Sequence, residues 1–382
     1  MCCSICGHLS ICKFLVSLIS FKTSHVNRIL GPVLECAVKI GHMDLCKYIV
    51  SLGISFDTNV PNEVIMPVLK CAVRSGDLDM CKYVMSLISF TSNYEAKCIL
   101  GPVLECAVKS DNLVMCRYLV SQGAPYLDDS LQYGDLNMCK HFISLGVSNP
   151  NNALYYAAKK GDLEMCEYLV SVGATYYNKA LVSAIVFGGH LNICKYIIEQ
   201  GSVKQDSIDL NNALYKAACH GHLDICKYII DQGSTDLDNA LCGASLNGHL
   251  DICKYLLEQG STDHDIALIF AAKKGHLDIC DYIVSNFKLK WNSKECALDQ
   301  AILYERLNIC KYLTESRHSL YYINRGLMAA TQLNRLELCK YFVSLGATNF
   351  KNTLRIARDE VYQYLLEQQR IYEQRKLNRE IE

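Results

Sequence analysis

The sequence predicts an all-α fold, an α-solenoid in which short helix–turn–helix units stack one on the next. Three observations favour this fold. A cysteine-centred motif recurs along nearly all of the 382 residues, apolar residues in each copy follow helical spacing, and a glycine closes most copies. A single packed core is not expected at this length, whereas a stack of units has no fixed size limit.

The motif is clearest in GHLDICKYLLEQGSTD, which runs from Gly248 to Asp263. Near copies begin at Gly221 and at Gly275. Successive motif cysteines are 23 to 35 residues apart, so the copies cover nearly the whole chain. This coverage indicates a repeat protein rather than a globular domain that carries one motif. The motif cysteines are Cys12, Cys46, Cys81, Cys116, Cys139, Cys166, Cys194, Cys226, Cys253, Cys280, Cys310 and Cys339.

One unit, Asn239 to Gly260, predicts a short helix, a tight turn and a longer second helix. Apolar residues of the second helix fall on one face, and Gly260 stands where a left-handed C-cap is expected. Paired alanines, such as Ala217 and Ala218, should let the first helices approach their neighbours closely. The same closing glycine is expected at Gly53, Gly123, Gly146, Gly173, Gly201, Gly233 and Gly346.

Charge and composition exclude several classes of function. The 38 basic and 39 acidic residues give a formal net charge of -1, so the chain lacks the broad basic surface that nucleic-acid binding needs. No apolar run reaches the roughly 18 residues of a membrane span. The first residues also lack the basic region of a signal peptide. We therefore expect no nucleic-acid partner and no membrane partner.

The 22 cysteines predict a reducing compartment rather than a disulfide framework. Equivalent positions on stacked helices lie about 8–10 Å apart, whereas a disulfide needs Cα atoms within about 7 Å. A zinc ion shared by this series is equally hard to build, because its ligands must meet at one point. We expect buried thiols, no metal and no cofactor, in the cytoplasm or the nucleus.

The segment ALYKAACHGHLDICKYIIDQGS, from Ala213 to Ser234, resembles the ankyrin repeat, whose pattern is T-P-L-H-x-A-A-x-x-G-H-x-x-V-V-x-x-L-L-x-x-G-A. The resemblance extends from about residue 5 to residue 367. Its variant of the pattern, with DICKY cores and Asn-Ala-Leu for Thr-Pro-Leu, is similar to the mimivirus-like ankyrin proteins of giant DNA viruses that infect amoebae. The matching positions are Leu214, Ala217, Ala218, Gly221, His222, Cys226, Ile229, Ile230 and Gly233, with Cys226 in a valine position.

The units also depart from the ankyrin pattern. Several are 27 residues long instead of 33, and the loop before the next first helix is about six residues short. We expect the β-hairpin finger that this loop normally forms to be trimmed to a tight turn. The Thr-Pro-Leu-His tetrad is absent, so Asn152, Asn212 and Asn239 are predicted to cap the first helices in its place.

Unit length predicts four segments. Residues 1–126 hold longer repeats of about 35 residues, residues 127–150 a degenerate short repeat, residues 151–349 repeats mostly of 27–32 residues, and residues 350–382 a degenerate terminal repeat with a charged capping helix. A polar cap is what a repeat array needs at its end.

Side chains that recur in every unit are expected to be structural. The tyrosine after CK should pack between units. The CCSIC stretch, Cys2 to Cys6, is predicted to be a degenerate first helix, with a metal site or acylation as alternatives. The histidine of GH should make turn and interhelical hydrogen bonds at His42, His190, His222, His249 and His276.

Residues that vary between units are better candidates for recognition. In ankyrin proteins, partners usually bind the concave side, which the finger tips and the residues before the GH turn form. Trp291 is the only tryptophan and lies in a longer finger, so it is either a binding hot spot or a packing residue. The resemblance assigns the turn positions Lys159, Lys160, His220, Asn247, Lys273 and Lys274 as candidate partner-binding residues.

No phosphate-binding glycine loop, G-x-S-x-G or H-E-x-x-H motif is present, so we expect no enzyme. The resemblance implies a monomeric scaffold that binds a partner protein on the concave face of the array, with a host protein as the partner if the chain is viral. The alternative is an adaptor that recruits substrates to a host ubiquitin ligase.

Overall fold

The computed structural model describes residues 26–52, 65–88, 90, 93–125, 135–144, 149–203, 207–290, 292–315 and 320–381, and every regular element in these ranges is helical. The all-α fold class is therefore confirmed. In chain order the helices are α1 (Val26–Lys39), α2 (Met43–Ser51), α3 (Ile65–Ser75), α4 (Leu78–Ser86), α5 (Asn93–Lys109), α6 (Leu113–Ser121), α7 (Leu136–Ser144), α8 (Pro150–Lys160), α9 (Leu163–Ser171), α10 (Tyr177–Gly188), α11 (Leu191–Val203), α12 (Leu210–His220), α13 (Leu223–Asp231), α14 (Leu237–Asn247), α15 (Leu250–Glu258), α16 (His264–Lys274), α17 (Leu277–Asn286), α18 (Ser293–Leu303), α19 (Leu307–Glu315), α20 (Leu320–Gln332), α21 (Leu336–Ser344), α22 (Phe350–Thr353) and α23 (Asp359–Ile381).

The helices form two compact units, Met1–Ala158 with Asp162–Tyr176, and Lys159–Gly161 with Tyr177–Glu382. In the first unit, α1, α3 and α5 pack in one layer, and α2, α4 and α6 pair with them. In the second unit, the first helices of the repeats (α10, α12, α14, α16, α18 and α20) form one layer, and the second helices from α11 to α19 form another. Each unit is thus a solenoid of two helical layers. The sequence boundaries at residues 126, 150 and 349 stay predictions.

The motif cysteine lies on the buried face of each second helix. In α15, Cys253 packs beside Ile252 and Leu256, all three fully buried. Burial raises the pKa of Cys253 to about 12, so the thiol stays protonated. Cys12 and the CCSIC stretch lie outside the described residues. The predicted burial is confirmed for Cys46, Cys81, Cys116, Cys139, Cys166, Cys194, Cys226, Cys253, Cys280, Cys310 and Cys339, all of them free thiols.

In ten of the described repeats, a left-handed residue follows the first helix. Gly221, Gly248 and Gly275 cap α12, α14 and α16 with φ of 80°, 86° and 95°. Glycine adopts this conformation without strain because it has no Cβ. In two later repeats a residue with a Cβ adopts the same left-handed conformation, with φ of 58° at Glu305 and 56° at Asn334.

The glycine predicted to close the second helix is left-handed in five units, at Gly123, Gly173, Gly233, Gly260 and Gly346. Gly201 was wrong. It is a buried residue inside α11, which continues to Val203, and the Ser202 hydroxyl donates to the Ile198 carbonyl 2.9 Å away in that last turn. The predicted caps Gly53 and Gly146 lie outside the described residues.

The connections between units are short in the second unit. Residues 232–236 join α13 to α14, and residues 259–263 join α15 to α16. Five residues leave no room for a hairpin finger, and the described ranges contain no strand. The trimmed finger is therefore confirmed here. No helix in the described ranges is both long and apolar enough to span a membrane.

Candidate binding surface

In six repeats, one polar residue near the start of the first helix accepts hydrogen bonds from the loop that follows that repeat. In α14, Asp238 Oδ1 accepts from the Ser261 hydroxyl at 2.6 Å and from the Thr262 N–H at 2.8 Å. In α20, Asn324 Oδ1 accepts from the Thr348 N–H at 2.8 Å. We call the set the Asn/Asp ladder: Asn151, Asn178, Asn211, Asp238, Asp265 and Asn324.

The ladder replaces the missing Thr-Pro-Leu-His tetrad, and sequence reasoning placed the helix caps wrongly. Asn212 and Asn239 lie inside the first turn, where their N–H groups donate to the carboxylates of the real caps, Asp209 and Asp236. Asn152 likewise lies inside α8, which begins at Pro150. The signal was present in the sequence, because each ladder residue stands two positions before an Ala-Leu or Gly-Leu pair.

The two aspartates of the ladder are tuned to stay ionised. Burial alone would raise the pKa of Asp238, but hydrogen bonds from Ser261, Thr262 and Asp263 outweigh it and lower that pKa. In the same way, burial opposes ionisation of Asp265, while bonds from Ser293 and Lys290 and the charges of His264 and Lys290 lower its pKa. The carboxylates of Asp238 and Asp265, near the starts of their helices, are therefore ionised and already hydrogen-bonded to the following loop.

The GH histidines have the structural role expected from their recurrence. His249 Nε2 donates to the Cys219 carbonyl and His276 Nε2 to the Leu246 carbonyl, each at 3.2 Å and each into the preceding unit. Arg306 takes the same place further along, with Nε donating to the Lys273 carbonyl at 3.3 Å. Burial, the largest effect, lowers the pKa of His222 and favours its neutral form.

The last turns of the first helices present a row of variable side chains, which we call the first-helix strip. His220 is exposed, and its Nδ1 donates to the Lys216 carbonyl at 2.8 Å. Asn247 is exposed, and its Nδ2 donates to the Gly243 carbonyl at 2.9 Å. In the second unit, the strip comprises Lys159, Lys160, Phe187, His220, Asn247, Lys273, Lys274 and Tyr304.

Two lysines of the strip stack on aromatic rings of the following repeat. Lys159 Nζ lies 4.4 Å from the centroid of the Phe187 ring, and Lys273 Nζ lies 5.1 Å from that of Tyr304. Sequence reasoning missed both aromatic residues, although they occupy the variable positions before the turn. Phe187 is 53% exposed and Tyr304 is 42% exposed, so each ring also faces solvent.

Of the three remaining candidate residues, two are exposed and one lies outside the described residues. Lys160 and Lys274 are exposed at the ends of α8 and α16. Trp291 lies outside the described residues. The structure thus aligns six of the seven predicted positions along the ends of first helices, and whether they bind a partner stays a prediction. In the described ranges, no group of three or more His, Cys, Asp or Glu side chains is arranged to hold a metal ion.

The tyrosine two positions after the motif cysteine was expected to pack between repeats, and its ring does meet the preceding repeat. Lys227 Nζ lies 5.6 Å from the Tyr255 ring centroid and Lys254 Nζ 5.1 Å from that of Tyr282. These pairs lie on the second-helix layer. They repeat the Lys–aromatic chemistry of the strip on the other layer of the same unit.

A family model for ankyrin repeats, in three copies, matches residues 127–208, 202–267 and 241–326. Together the matches cover slightly more than half of the chain. The protein belongs to the ankyrin-repeat family. Ankyrin repeats generally act as protein–protein interaction modules, typically without catalysis. No curated protein matches the sequence.

Proposed function

We propose that this ankyrin-repeat protein is a non-enzymatic scaffold that binds a partner protein along the first-helix strip. The observation that carries the proposal is the contrast between the strip and the frame, by which we mean the buried helix residues and the glycine turns that recur from repeat to repeat. The frame hardly changes, since Ala217 and Ala244 are both fully buried and each is followed by a left-handed glycine turn. The residue directly before the left-handed turn residue changes at every repeat, from lysine to glycine, histidine, asparagine, lysine and tyrosine. An invariant frame with variable exposed positions is suited to recognition.

The chemistry of the strip also supports binding. Exposed aromatic rings are the residue types that dominate interface energetics, and cations stacked on them lose little freedom when a partner binds. The Phe187 and Tyr304 rings each combine exposure with a stacked lysine. Trp291 remains a candidate of the same kind. Residues 151–287, together with the Trp291 finger, are the segment that we propose to carry the surface.

Affinity capture from expressing cells, with quantitative mass spectrometry, tests the proposal. A partner of the strip should be captured by the wild type and lost with Phe187→Ala combined with Tyr304→Ala. The matched control is Tyr255→Ala combined with Tyr282→Ala, which removes two rings of the other layer and should leave capture intact. Equal capture by all three proteins would place the binding surface elsewhere.

The same experiment addresses the finer proposals. Recovery of a ubiquitin-ligase subunit together with its substrates would favour the adaptor function over a simple scaffold. We also propose that the chain is monomeric and acts in the cytoplasm or the nucleus. If it is viral, as its resemblance to giant-virus ankyrin proteins suggests, we propose that its partner is a host protein. Sedimentation of the purified chain tests the monomer.

A further inference from the structure

The two helical layers of the second unit carry opposite charge. The second helices α11, α13, α15 and α17 present seven acidic side chains and three lysines. The first helices α10, α12, α14 and α16 present four lysines and two aspartates. The lysines are Lys179, Lys216, Lys273 and Lys274, and the aspartates are the ladder residues Asp238 and Asp265.

The two ladder aspartates do not neutralise the strip. Both are held by the loop of the next repeat, through Ser261 and Ser293 respectively. Each also stands nine residues before the end of its helix, which is about 14 Å at 1.5 Å per residue. This separation exceeds the Debye length of about 8 Å at physiological ionic strength. In the part of the chain that the structure describes, no carboxylate forms an ion pair with Lys159, Lys273 or Lys274.

Positive charge gathers at two points of the strip, with neutral side chains between them. One point is Lys159 and Lys160, and the other is Lys273 and Lys274. The first point lies against α10, because Lys159 Nζ stands over the Phe187 ring, and α10 is three helix spacings from α16 along the first-helix layer. At about 8–10 Å per spacing, the separation is about 24–30 Å. An extended peptide covers that distance with about seven to nine residues at 3.3 Å per residue.

Resting on the proposed function, we propose that the partner of the strip is an extended acidic segment of a protein, with two clusters of carboxylates about seven to nine residues apart. The carboxylates meet the two lysine points, and the neutral stretch between them crosses Phe187, His220 and Asn247. The Lys159 and Lys273 ammonium groups are already held over aromatic rings, so pairing them costs little side-chain freedom.

A polypeptide fits these charges better than a nucleic acid does. A phosphate backbone is charged at every step, whereas the middle of the strip holds Phe187 and Asn247 and no lysine at its exposed turn positions. The acidic second-helix layer of the same repeats would also repel a long polyanion. A single-stranded oligonucleotide is therefore the competing probe in the test.

The test is a selection from a displayed library of peptides of about sixteen residues, a length that spans the strip, on the full chain. Enriched peptides should carry two acidic clusters with the proposed spacing. A synthetic copy of the most enriched peptide should bind Lys273→Gln/Lys274→Gln about tenfold more weakly than the wild type, and its affinity should fall with added salt. The control is Lys227→Gln/Lys254→Gln, which removes the same charge from the other layer and should bind as the wild type does.

Each alternative outcome has a definite meaning. Enrichment of neutral or basic peptides that are lost with Phe187→Ala/Tyr304→Ala would keep the proposed function and overturn the acidic partner. Peptides insensitive to both strip variants would overturn the proposed function as well. If Lys273 and Lys274 only complement the helix dipole, the Lys273→Gln/Lys274→Gln variant would melt at a lower temperature and bind the peptide as the wild type does, which would overturn the acidic partner. Tighter binding of the oligonucleotide than of any peptide, or no enrichment, would also refute the acidic segment.

Discussion

The Asn/Asp ladder makes a sharp prediction at Asp238. Replacing it with alanine removes the acceptor for the Ser261 hydroxyl, the Thr262 N–H and the Asp263 N–H, which lie 2.6, 2.8 and 3.2 Å away. A hydrogen bond to a charged group contributes about 1.5–3 kcal/mol when it is well formed, and an ordinary one about 1 kcal/mol. Thr262 is exposed and regains water, whereas Ser261 is buried and does not. We expect a loss of about 2 kcal/mol in the free energy of unfolding.

Asp238→Asn separates the hydrogen bonds from the charge. The ladder already uses asparagine in the preceding repeat, where Asn211 Oδ1 accepts from Ser234, Thr235 and Asp236. The amide should keep the loop in place and cost less than about 1 kcal/mol. Glu258→Ala is the matched control, because it removes an exposed carboxylate without a ladder role and should change stability by no more than about 0.5 kcal/mol.

Urea denaturation measures the three stabilities, and amide hydrogen exchange measures the local effect. The amides of Thr262 and Asp263 should lose protection in Asp238→Ala and keep it in Asp238→Asn. The reasoning is refuted if alanine at 238 costs no more than alanine at 258, or if those two amides exchange at the wild-type rate.

Three further predictions concern the frame. Thiol labelling at mild alkaline pH should spare Cys253 and the other buried motif cysteines until denaturant is added, because burial raises the pKa of Cys253 to about 12; fast labelling of the native protein would contradict the packing. Gly248→Ala should cost at least about 1–2 kcal/mol by urea denaturation, since its φ is +86° and a Cβ would lie 2.6 Å from the His276 ring; a neutral effect would disprove the close approach. Burial lowers the pKa of His222, so its contribution to stability is complete above the unfolded value of about 6.5 and declines as pH falls below it. His222→Gln should flatten the pH dependence of the urea midpoint between about pH 7 and 5, and an unchanged slope would exclude His222 as its source.

The frame could be predicted from the sequence because it repeats. Cys253 and Gly260 recur at fixed spacing, and recurrence separates a packing position from an accident of composition. The prediction for Gly201 was wrong because a glycine at this position can also continue the helix, as it does in α11. The sequence differs there in one respect, since Cys194 and Cys226 are 32 residues apart rather than 27.

The candidate surface was predictable only as a row of positions. The resemblance to ankyrin repeats located Lys159 and Lys273 near the turn, but the rings beneath them belong to the next repeat, so the Lys–aromatic contacts depend on stacking geometry. The ladder was missed for the same reason, since Asp238 bonds to a loop 24 residues later. Contacts between repeats are absent from the pattern of any single repeat.

The five-residue connections have a genetic consequence. The segment QGSTD stands both at Gln232–Asp236 and at Gln259–Asp263, 27 residues apart. An in-frame deletion of residues 237–263 would therefore join α13 to α16 through an unchanged connection, and Asn211 would meet the same Ser-Thr-Asp sequence that it bonds now. Duplication of the same 27 codons would be equally silent for folding. Unequal recombination can thus lengthen or shorten the first-helix strip by one repeat at a time, changing the row of side chains that the protein presents while the fold stays the same.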